Sequence, residues 1–374
     1  MTVEDRQEGE AASAAAPRPI SADTRGLDAG SAPAAAATRF VERPPRPQGA
    51  TYAALDLGTN NCRLLIARPA AHGFRVVDAF SRIVRLGEGL AASGRLADAA
   101  MDRAVEALKI CRGKMSHRGV TRARLVTTEA CRAATNGLEF VRRVAAEADL
   151  RLEIVDQRTE ASLAVSGCAA LADPASESVI VFDIGGGSTE IIWLGGRSHV
   201  RDPAARIREW ASLPMGVVTV AERYGGVDVG RALFETMVED CARALAPFAA
   251  RAAGASSARA FHLLGTSGTV TTVAGIHLGL PRYDRRVVDG LWMDEADIVS
   301  VIDRLVDMDY EARAANACIG RERADLVLAG CAIFEAIRRA FPSRRVRIAD
   351  RGLREGILLR MMHEDRAWQR RRPA

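Results

Sequence analysis

Apolar and polar positions alternate along residues 49–366 in a way that predicts short strands joined by amphipathic helices. The first half reads as three consecutive strands with tight connections, followed by helices that alternate with single strands. In order, the predicted elements are strands 52–57, 62–67 and 74–85, helix 97–117, strand 124–128, helix 137–148, strand 152–155 and helix 160–171.

The second half repeats this order of elements. Its predicted elements are strands 178–184, 190–194 and 208–212, helix 231–251, strand 260–265, helices 269–275, 294–307 and 324–339, strand 345–348 and helix 354–362. Such alternation predicts a mainly parallel sheet covered by helices. Two successive units of this kind predict an α/β protein with two lobes and a ligand cleft between them.

The chain ends differ in composition from the part between them. Residues 1–48 are rich in Ala, Pro, Ser and Gly and contain few larger apolar residues, so we expect a disordered tail. Residues 367–374 are expected to form a short basic tail. The first residues include Glu4, Asp5 and Glu8 where a secretory signal would be basic, so no signal peptide is expected.

Composition narrows the function classes. The 374 residues are 48% hydrophobic and 26% charged, and no apolar run is long enough to predict a membrane span. The seven cysteines are scattered without a C-x-x-C pair, which favours reduced thiols in a cytoplasmic protein. The net charge of +5 is compatible with a polyanionic ligand or with an arginine-rich surface. Aromatic residues are only 5% and no nucleic-acid-binding module is evident, so nucleic acid is not expected as a partner.

Two glycine-containing turns look like copies of each other, 127 positions apart. One begins at Asp56 after an apolar strand, the other at Asp183 after a second apolar strand, and each is followed by a further strand. Glycine leaves backbone N–H groups open to an anion, and a carboxylate can hold a hydrated metal ion. The alternative is a plain tight turn between antiparallel strands. Two facing turns of this type would form a clamp for phosphates.

Five further segments carry a family resemblance. They are VTTEACR at 126–132, SLPMGVVT at 212–219, GTSGTVTT at 265–272, RADL at 323–326 and DRGLREG at 350–356. Together with the paired turns, and in this order, they resemble the Ppx/GppA family of exopolyphosphatases and guanosine pentaphosphate phosphatases. That family is part of the actin-like ATPase superfamily, whose lobes are ribonuclease H-like. The resemblance spans residues 52–363.

The resemblance implies a fold and a division of the chain. We expect two ribonuclease H-like lobes, one formed by 49–158 plus 352–366 and the other by 159–351. It also implies that Glu160 activates the attacking water. The segment Thr159-Glu160-Ala161-Ser162 departs from the usual Glu-Glu-Ala-Arg, which matters if the missing Glu or Arg contributes to the site. Without the resemblance, the sequence favours interpreting Glu160 as an acidic residue placed at a helix start by the helix dipole.

Roles can be proposed for the remaining candidate residues. Arg132 is the second candidate catalytic residue, because its planar guanidinium can donate two hydrogen bonds to a phosphate, although it also fits a surface arginine at a helix start. The expected metal ligands are Asp183, Glu190 and Asp56, with Mg²⁺ or Mn²⁺ as the ion. The expected phosphate-binding residues are Gly58, Thr59, Asn60, Gly185, Gly186, Gly187, Ser188, Gly265, Thr266 and Ser267. Candidate contacts for a longer polyanion are Arg285, Arg286, Arg321, Arg323, Arg351 and Arg354, although the sequence favours a solvated or ion-paired side chain for each one taken alone.

These assignments imply a phosphoanhydride hydrolase. The expected function is an exopolyphosphatase that releases terminal orthophosphate from inorganic polyphosphate. Hydrolysis of guanosine pentaphosphate (pppGpp) is the first alternative, and a non-catalytic binder of polyphosphate or alarmone is the second. The chain has no G-x-x-x-x-G-K-[ST] segment, so a P-loop enzyme is not expected. The sequence leaves a homodimer open.

Overall fold

The computed structural model describes residues 49–71, 73–196 and 202–368. The predicted tail at 1–48, and all but the first two residues of the predicted tail at 367–374, lie outside the described residues. No helix in these ranges combines the length and the apolar character needed to cross a membrane.

The first sheet has five strands, in the order β3-β2-β1-β4-β5. β1 runs parallel to β4 and antiparallel to β2, which pairs antiparallel with β3. The strands are β1 (Tyr52–Leu57), β2 (Asn61–Pro69), β3 (Phe74–Ile83), β4 (Arg122–Thr127) and β5 (Glu153–Ile154). The helices of this part are α1 (Leu90–Ser93), α2 (Asp98–His117), α3 (Glu129–Ala133), α4 (Gly137–Ala148) and α5 (Gln157–Cys168).

The second sheet has six strands, in the order β10-β11-β9-β6-β7-β8. The strands are β6 (Ser178–Ile184), β7 (Thr189–Gly195), β8 (Ile207–Leu213), β9 (Phe261–Thr266), β10 (Trp292–Asp294) and β11 (Arg345–Ala349). The helices that follow α5 along the chain are α6 (Val217–Tyr224), α7 (Arg231–Arg251), α8 (Gly268–His277), α9 (Arg285–Val288), α10 (Glu295–Asp307), α11 (Tyr310–Ala315), α12 (Val327–Ala340) and α13 (Leu353–Glu364). Short 3₁₀ turns cover Ala169–Leu171, Pro203–Arg206 and Arg321–Arg323.

The two sheets share one topology. Read from β8 to β11, the second sheet has the order β8-β7-β6-β9-β11, which repeats β3-β2-β1-β4-β5. β10 is an additional antiparallel strand at the edge of the second sheet, paired with β11. The structure therefore confirms the predicted α/β fold with two lobes. The expectation of a mainly parallel sheet is wrong, because tight turns join neighbouring strands antiparallel in both sheets: among the described residues, four strand pairs are parallel and five are antiparallel. β10, α3 and α6 were not predicted, because short elements carry too few residues for a clear periodicity.

Helices α5 and α13 connect the two lobes. α13 packs on β1, and its Ile357 and Leu358 share a buried cluster with Leu163 of α5. The opposite side of α5 contributes Ala161 and Val165 to a cluster with the second sheet. Because one helix is buried against both sheets, the lobes meet at this helix pair. The exact residues at which the chain passes from one lobe to the other stay a prediction.

His262 of β9 is a buried histidine away from the cleft. Its ring is 2% exposed, with Nδ1 2.8 Å from the Ser176 hydroxyl oxygen and the Trp292 ring 5.0 Å away. Burial lowers the pKa of His262 from 6.5 to about 4. The folded protein therefore keeps this ring neutral at a pH where the unfolded chain protonates it.

We expect this histidine to weaken the fold in mild acid. Between pH 6.5 and about 4 the unfolded chain binds a proton that the folded chain does not, so the free energy of unfolding should fall by up to about 3 kcal/mol. Denaturant unfolding at several pH values should show this slope in the wild type and lose it in His262→Gln. His117→Gln, at an exposed helix end, is the control. An unchanged slope in His262→Gln would contradict the assignment.

Candidate functional site

Two turns of equivalent geometry form the floor of a cleft between the lobes. In the first, the Gly58 N–H donates to the Asn61 carbonyl oxygen at 2.9 Å. In the second, the Gly185 N–H donates to the Ser188 carbonyl oxygen, also at 2.9 Å. Each turn joins two antiparallel strands and begins one residue after its aspartate, Asp56 or Asp183. The repeat inferred from the sequence is thus a repeat of local structure, and both turns line the same cleft.

The two turns pack directly against each other. A Cβ atom at Gly186 would lie 2.9 Å from Thr59 Cβ, and one at Gly187 would lie 2.8 Å from Thr59 Oγ1. Only glycine permits this approach, since Cβ contacts below 3.0 Å do not occur without displacement. α6 supports the second turn from behind, because the N–H groups of Val217 and Val218 donate to the Gly185 and Gly186 carbonyls at 2.9 and 2.8 Å.

The strand register places opposite charges at equivalent positions of the two lobes. Asp56 lies across from Arg63 in the β1–β2 pair, and Asp183 lies across from Glu190 in the β6–β7 pair. All four side chains line the cleft. Sequence reasoning missed Arg63 as a site residue. Superposing the two repeats would have identified it, since Arg63 follows Asp56 at the spacing at which Glu190 follows Asp183.

Several carboxyl groups of the cleft have raised pKa values. Burial, and then the charge of Glu190, raises the pKa of Asp183 to about 7. Burial is also the main reason that the pKa values of Asp56 and Glu190 are raised. Glu190 Oε1 accepts hydrogen bonds from the hydroxyls of Ser188 and Ser212, both at 2.8 Å. The cleft therefore concentrates negative charge that its own side chains only partly neutralise.

Glu160 lies in the first turn of α5, as predicted from the sequence. The helix start is fixed by Asp156, whose carboxylate accepts a hydrogen bond from the Thr159 N–H at 2.6 Å. Glu160 lines the cleft, and burial followed by the charge of Glu190 raises its pKa well above the usual range. A carboxylate with a raised pKa is a stronger base than an exposed one, which suits proton abstraction near neutral pH.

Arg132 lies beside Glu160 and outside the set of residues that line the cleft. Its Nη1 donates to Glu160 Oε2 at 3.2 Å and to the Val155 carbonyl oxygen at 2.7 Å. Its Nε donates to Glu129 Oε2 at 3.1 Å. Glu129 does line the cleft, and sequence reasoning gave it no role. In this arrangement Arg132 orients the carboxylates of Glu160 and Glu129. A direct hydrogen bond from Arg132 to a substrate phosphate stays a prediction.

The arginines of the cleft fall into two groups. Arg351, which lines the cleft, is ion-paired with Asp289 at 2.9 Å from Nε to Oδ2. By contrast, Arg63, Arg323 and Arg354 line the cleft, and no described residue forms an ion pair or hydrogen bond with their guanidinium groups. A Cβ at Gly268 would lie 3.9 Å from Arg63 Nη2 and 4.0 Å from Arg323 Nη1. Arginines of both lobes thus converge on the start of α8.

The other arginines proposed from the sequence are engaged elsewhere. Arg285 donates to Glu355 Oε1 at 2.8 Å. Arg286 is paired with Asp284 at 2.7 Å and Arg321 with Glu311 at 2.6 Å, both with largely exposed side chains. None of these three arginines is among the residues that line the cleft. Arg323 and Arg354 are therefore better placed to contact an anion in the cleft than Arg285, Arg286 and Arg321, and the path of a long anion stays a prediction.

The segment from Gly265 to Ser267 divides between packing and the cleft. A Cβ at Gly265 would lie 2.5 Å from the Phe182 ring, and Gly265 pairs with strands on both sides. It packs within the sheet, so the structure does not place it in the phosphate cradle as expected. Thr266 and Ser267 line the cleft. Ser267 has φ 97° and ψ 178°, a conformation nearly confined to glycine, and its buried Oγ has no partner among the described residues.

The donor set suits a hard divalent cation. Asp56, Asp183 and Glu190 offer carboxylate oxygens, and the buried Asn60 Oδ1 has no hydrogen-bond partner within the described ranges. These are the oxygen ligands that Mg²⁺ and Mn²⁺ prefer. Among the described residues no three His, Cys, Asp or Glu side chains are grouped as a complete metal site. Mg²⁺ is commonly held by one or two carboxylates together with substrate phosphates, so the residues fit an ion shared with the substrate.

Comparison with known proteins adds to this geometry. The family model described as the Ppx/GppA phosphatase family matches residues 65–365. The chain belongs to this family. Exopolyphosphatase 2 of Mycobacterium tuberculosis is 30% identical in an alignment of 328 positions that covers 82% of this chain and 97% of that protein. The match to the family model confirms the resemblance inferred from the sequence motifs.

Solved structures agree with this assignment. A Ppx/GppA family member from Aquifex aeolicus is 26% identical with a TM-score of 0.68, covering 85% of this chain and 99% of that one. An exopolyphosphatase from Cytophaga hutchinsonii is 23% identical with a TM-score of 0.75, covering 84% and 98%. The second likeness shows the shared fold.

We expect Gly216→Ala to disturb the second turn and lower phosphatase activity. A Cβ at residue 216 would lie 2.3 Å from the Gly186 carbonyl, so the turn must move. A displacement of about 1 Å in such a site can cost about 100-fold in rate. The measurement is kcat/KM for phosphate release.

Gly230→Ala is the matched control, because no atom lies within 4 Å of its added Cβ. This control should keep wild-type activity. Folded Gly216→Ala protein with activity within twofold of wild type would show that the turn does not need its observed position.

Proposed function

We propose that the protein is an exopolyphosphatase that hydrolyses the terminal phosphoanhydride bond of inorganic polyphosphate. The observation that carries this proposal is the pairing, in one cleft, of phosphate-type turns with three guanidinium groups that form no ion pair or hydrogen bond with a described residue. An arginine without a partner in a cleft is available for an anion. Membership of the Ppx/GppA phosphatase family supports hydrolysis as the reaction.

Binding of the terminal phosphate is assigned to the two turns. The backbone N–H groups of Gly186 and Gly187 and the side chain of Thr59 lie where the turns meet. Ser188 also lines the cleft, and its hydroxyl donates to Glu190 Oε1 at 2.8 Å. The following phosphates would extend toward Arg63, Arg323 and the unpartnered hydroxyl of Ser267. A chain held at several phosphates is fixed in orientation before the reaction, which lowers the entropic part of the barrier.

The chemical step is assigned to Glu160. Its carboxylate accepts a proton from a water molecule while the water oxygen forms a bond to the terminal phosphorus. The bond from that phosphorus to the bridging oxygen breaks, which releases orthophosphate and a chain one unit shorter. The electron pair of the broken bond stays on the bridging oxygen, where arginine side chains stabilise the charge. Arg132 holds Glu160 in place through the 3.2 Å contact.

A divalent cation fits the same site. One or two of the carboxylates of Asp56, Asp183 and Glu190, together with substrate phosphates, would hold Mg²⁺ or Mn²⁺, which when bound would neutralise phosphate charge and favour attack on phosphorus. When no cation is bound, the three carboxylates repel the phosphate oxygens of the substrate, because like charges repel at short range.

Glu160→Gln should remove the base and keep the size of the side chain. Loss of a general base typically lowers the rate by about 10²–10⁴. We expect a kcat reduced to that extent, with polyphosphate binding retained in a direct binding assay. Glu139→Gln, an exposed glutamate on α4, is the control. Hydrolysis by Glu160→Gln within a few-fold of wild type would refute the assignment.

Binding of the chain can be tested separately from hydrolysis. In the Glu160→Gln background, long polyphosphate should bind more tightly than tripolyphosphate, and the affinity should fall steeply as salt rises. Adding Arg63→Gln or Arg323→Gln should reduce the slope of log K against log salt by about 1, as loss of one phosphate contact does in nucleic acids.

Arg286→Gln is the matched control for these two substitutions, because Arg286 is exposed and paired with Asp284. It should leave the slope unchanged. An equal change for Arg286→Gln and Arg63→Gln would mean that net surface charge, rather than the cleft, binds the chain.

Hydrolysis of pppGpp is the second candidate. The same cleft has an apolar side with Tyr283, Ile319 and Leu326, which offers a surface for a base. Orthophosphate release by purified protein from polyphosphate and from pppGpp, compared as kcat/KM, separates the two candidates. Polyphosphate should be preferred. A preference for pppGpp would establish the second candidate, and no release from either would favour a non-catalytic binder.

A further inference from the structure

The segment after β3 supports the first phosphate turn. The N–H groups of Val84 and Arg85 both donate to the Asn60 carbonyl oxygen, at 2.9 and 3.0 Å. The Gly87 N–H donates to the Thr59 carbonyl oxygen at 2.9 Å. Residues 84–87 are therefore bonded to the backbone of Thr59 and Asn60, two residues of the first turn that line the cleft, and a shift of this segment would move the turn.

Arg85 has a backbone conformation that non-glycine residues seldom adopt. Its φ is 47°, in the left-handed region. Such a conformation costs about 1 kcal/mol or more and persists only where the surroundings hold it. The Arg103 Nε donates to the Val84 carbonyl oxygen at 3.0 Å and helps to hold the segment.

The side chain of Arg85 reaches the second lobe. Its Nη1 and Nη2 donate to Asp325 Oδ2 and Oδ1 at 2.9 and 3.1 Å, and Nη2 also donates to the Glu322 carbonyl oxygen at 3.1 Å. The pair is mostly shielded, with side chains 33% and 25% exposed. A bidentate arginine–carboxylate pair fixes both distance and orientation. A second contact crosses nearby, where the Gly89 N–H donates to Glu222 Oε1 at 2.8 Å.

The far end of this contact is also tied to the site. Asp325 lies two residues after Arg323, one of the unpaired arginines of the cleft. The buried side chain of Arg313 donates to the Ala324 and Gly226 carbonyls at 3.4 and 3.2 Å, which fixes the backbone beside Asp325. Movement of Asp325 is therefore passed to Arg323 through a short and well-supported stretch of chain.

We propose that Arg85 is a positioning residue that couples the two walls of the cleft through its ion pair with Asp325. One end of the contact sets the Asn60 turn, and the other sets Arg323. The pair therefore fixes the span over which a phosphate chain can contact both lobes. This inference rests on the proposed function for its kinetic consequence, while its structural consequence can be measured without turnover.

The kinetic test uses Arg85→Gln, Asp325→Asn and the double variant. Each single variant should raise KM for long polyphosphate about tenfold with kcat changed less than threefold, because the walls that bind the chain are no longer held at one span. The double variant should be no worse than either single variant, as expected for one shared interaction. Arg231→Gln, which breaks a bidentate pair with Asp307 within one lobe, should change neither constant.

The structural test measures the span of the lobes directly. All seven cysteines are buried, so spin labels can be placed selectively at Leu138→Cys on α4 and Glu239→Cys on α7, both exposed. Without substrate, the inter-label distance distribution should be narrow in otherwise wild-type protein and in Arg231→Gln, and broader in Arg85→Gln and Asp325→Asn.

Unchanged distance distributions in Arg85→Gln and Asp325→Asn would overturn the inference, whatever the activity. So would kinetic effects of the two substitutions that simply add in the double variant. Absence of phosphate release from wild-type protein would refute the proposed function instead, and the label distances would still test the coupling of the two walls.

Discussion

The carboxyl groups of Asp56, Asp183, Glu190 and Glu160 share one cleft, and the protein holds them there against their mutual repulsion. Burial removes them from water, and the charge of Glu190 further raises the pKa of Asp183 and of Glu160. Nearby arginines reduce this effect without abolishing it. A cleft that concentrates negative charge in this way favours binding of a cation, or of a ligand that carries a bound cation. The cost of folding these groups together is offset when such a ligand binds.

The rest of the architecture places these charges. Two copies of one topology bring two strand–turn–strand units face to face, and glycines let the turns touch. The copies differ where function needs them to differ. Arg63 and Glu190 occupy equivalent positions and carry opposite charges, so one wall of the cleft attracts phosphate and the other adds to the metal-type donor set. The symmetry belongs to the fold, and the chemistry follows from the departures from it.

Much of the fold could be predicted from the sequence, because period and turn chemistry are local properties. The boundaries of Ser178–Ile184, Arg231–Arg251 and Gly137–Ala148 lie where the apolar pattern placed them. Short elements such as β10 did not show a period. The family was recognised because its motifs occur in a fixed order.

The site was harder to predict, since it depends on which partners a side chain finds in space. Gly265 belongs to a motif of the site but packs on Phe182. Arg286 and Arg323 were both candidate polyanion contacts in the sequence, yet Arg286 is paired with Asp284 and Arg323 lines the cleft. Arg63 is recognised as a site residue from the strand register, which pairs it with Asp56. Ion pairing and register are set by tertiary structure, so no reading of composition could separate these residues.

Asp183 is held in the fold at a free-energy cost that a ligand offsets, and the stability of Asp183→Asn tests this most directly. No described residue donates a hydrogen bond to the Asp183 carboxylate, and its pKa of about 7 means that it is charged at pH 8. In chelator at pH 8, denaturant unfolding should show the variant to be more stable than wild type by roughly 1–3 kcal/mol, after allowance for solvent in the cleft. The same variant should lose phosphatase activity. A variant less stable than wild type under these conditions would contradict the account.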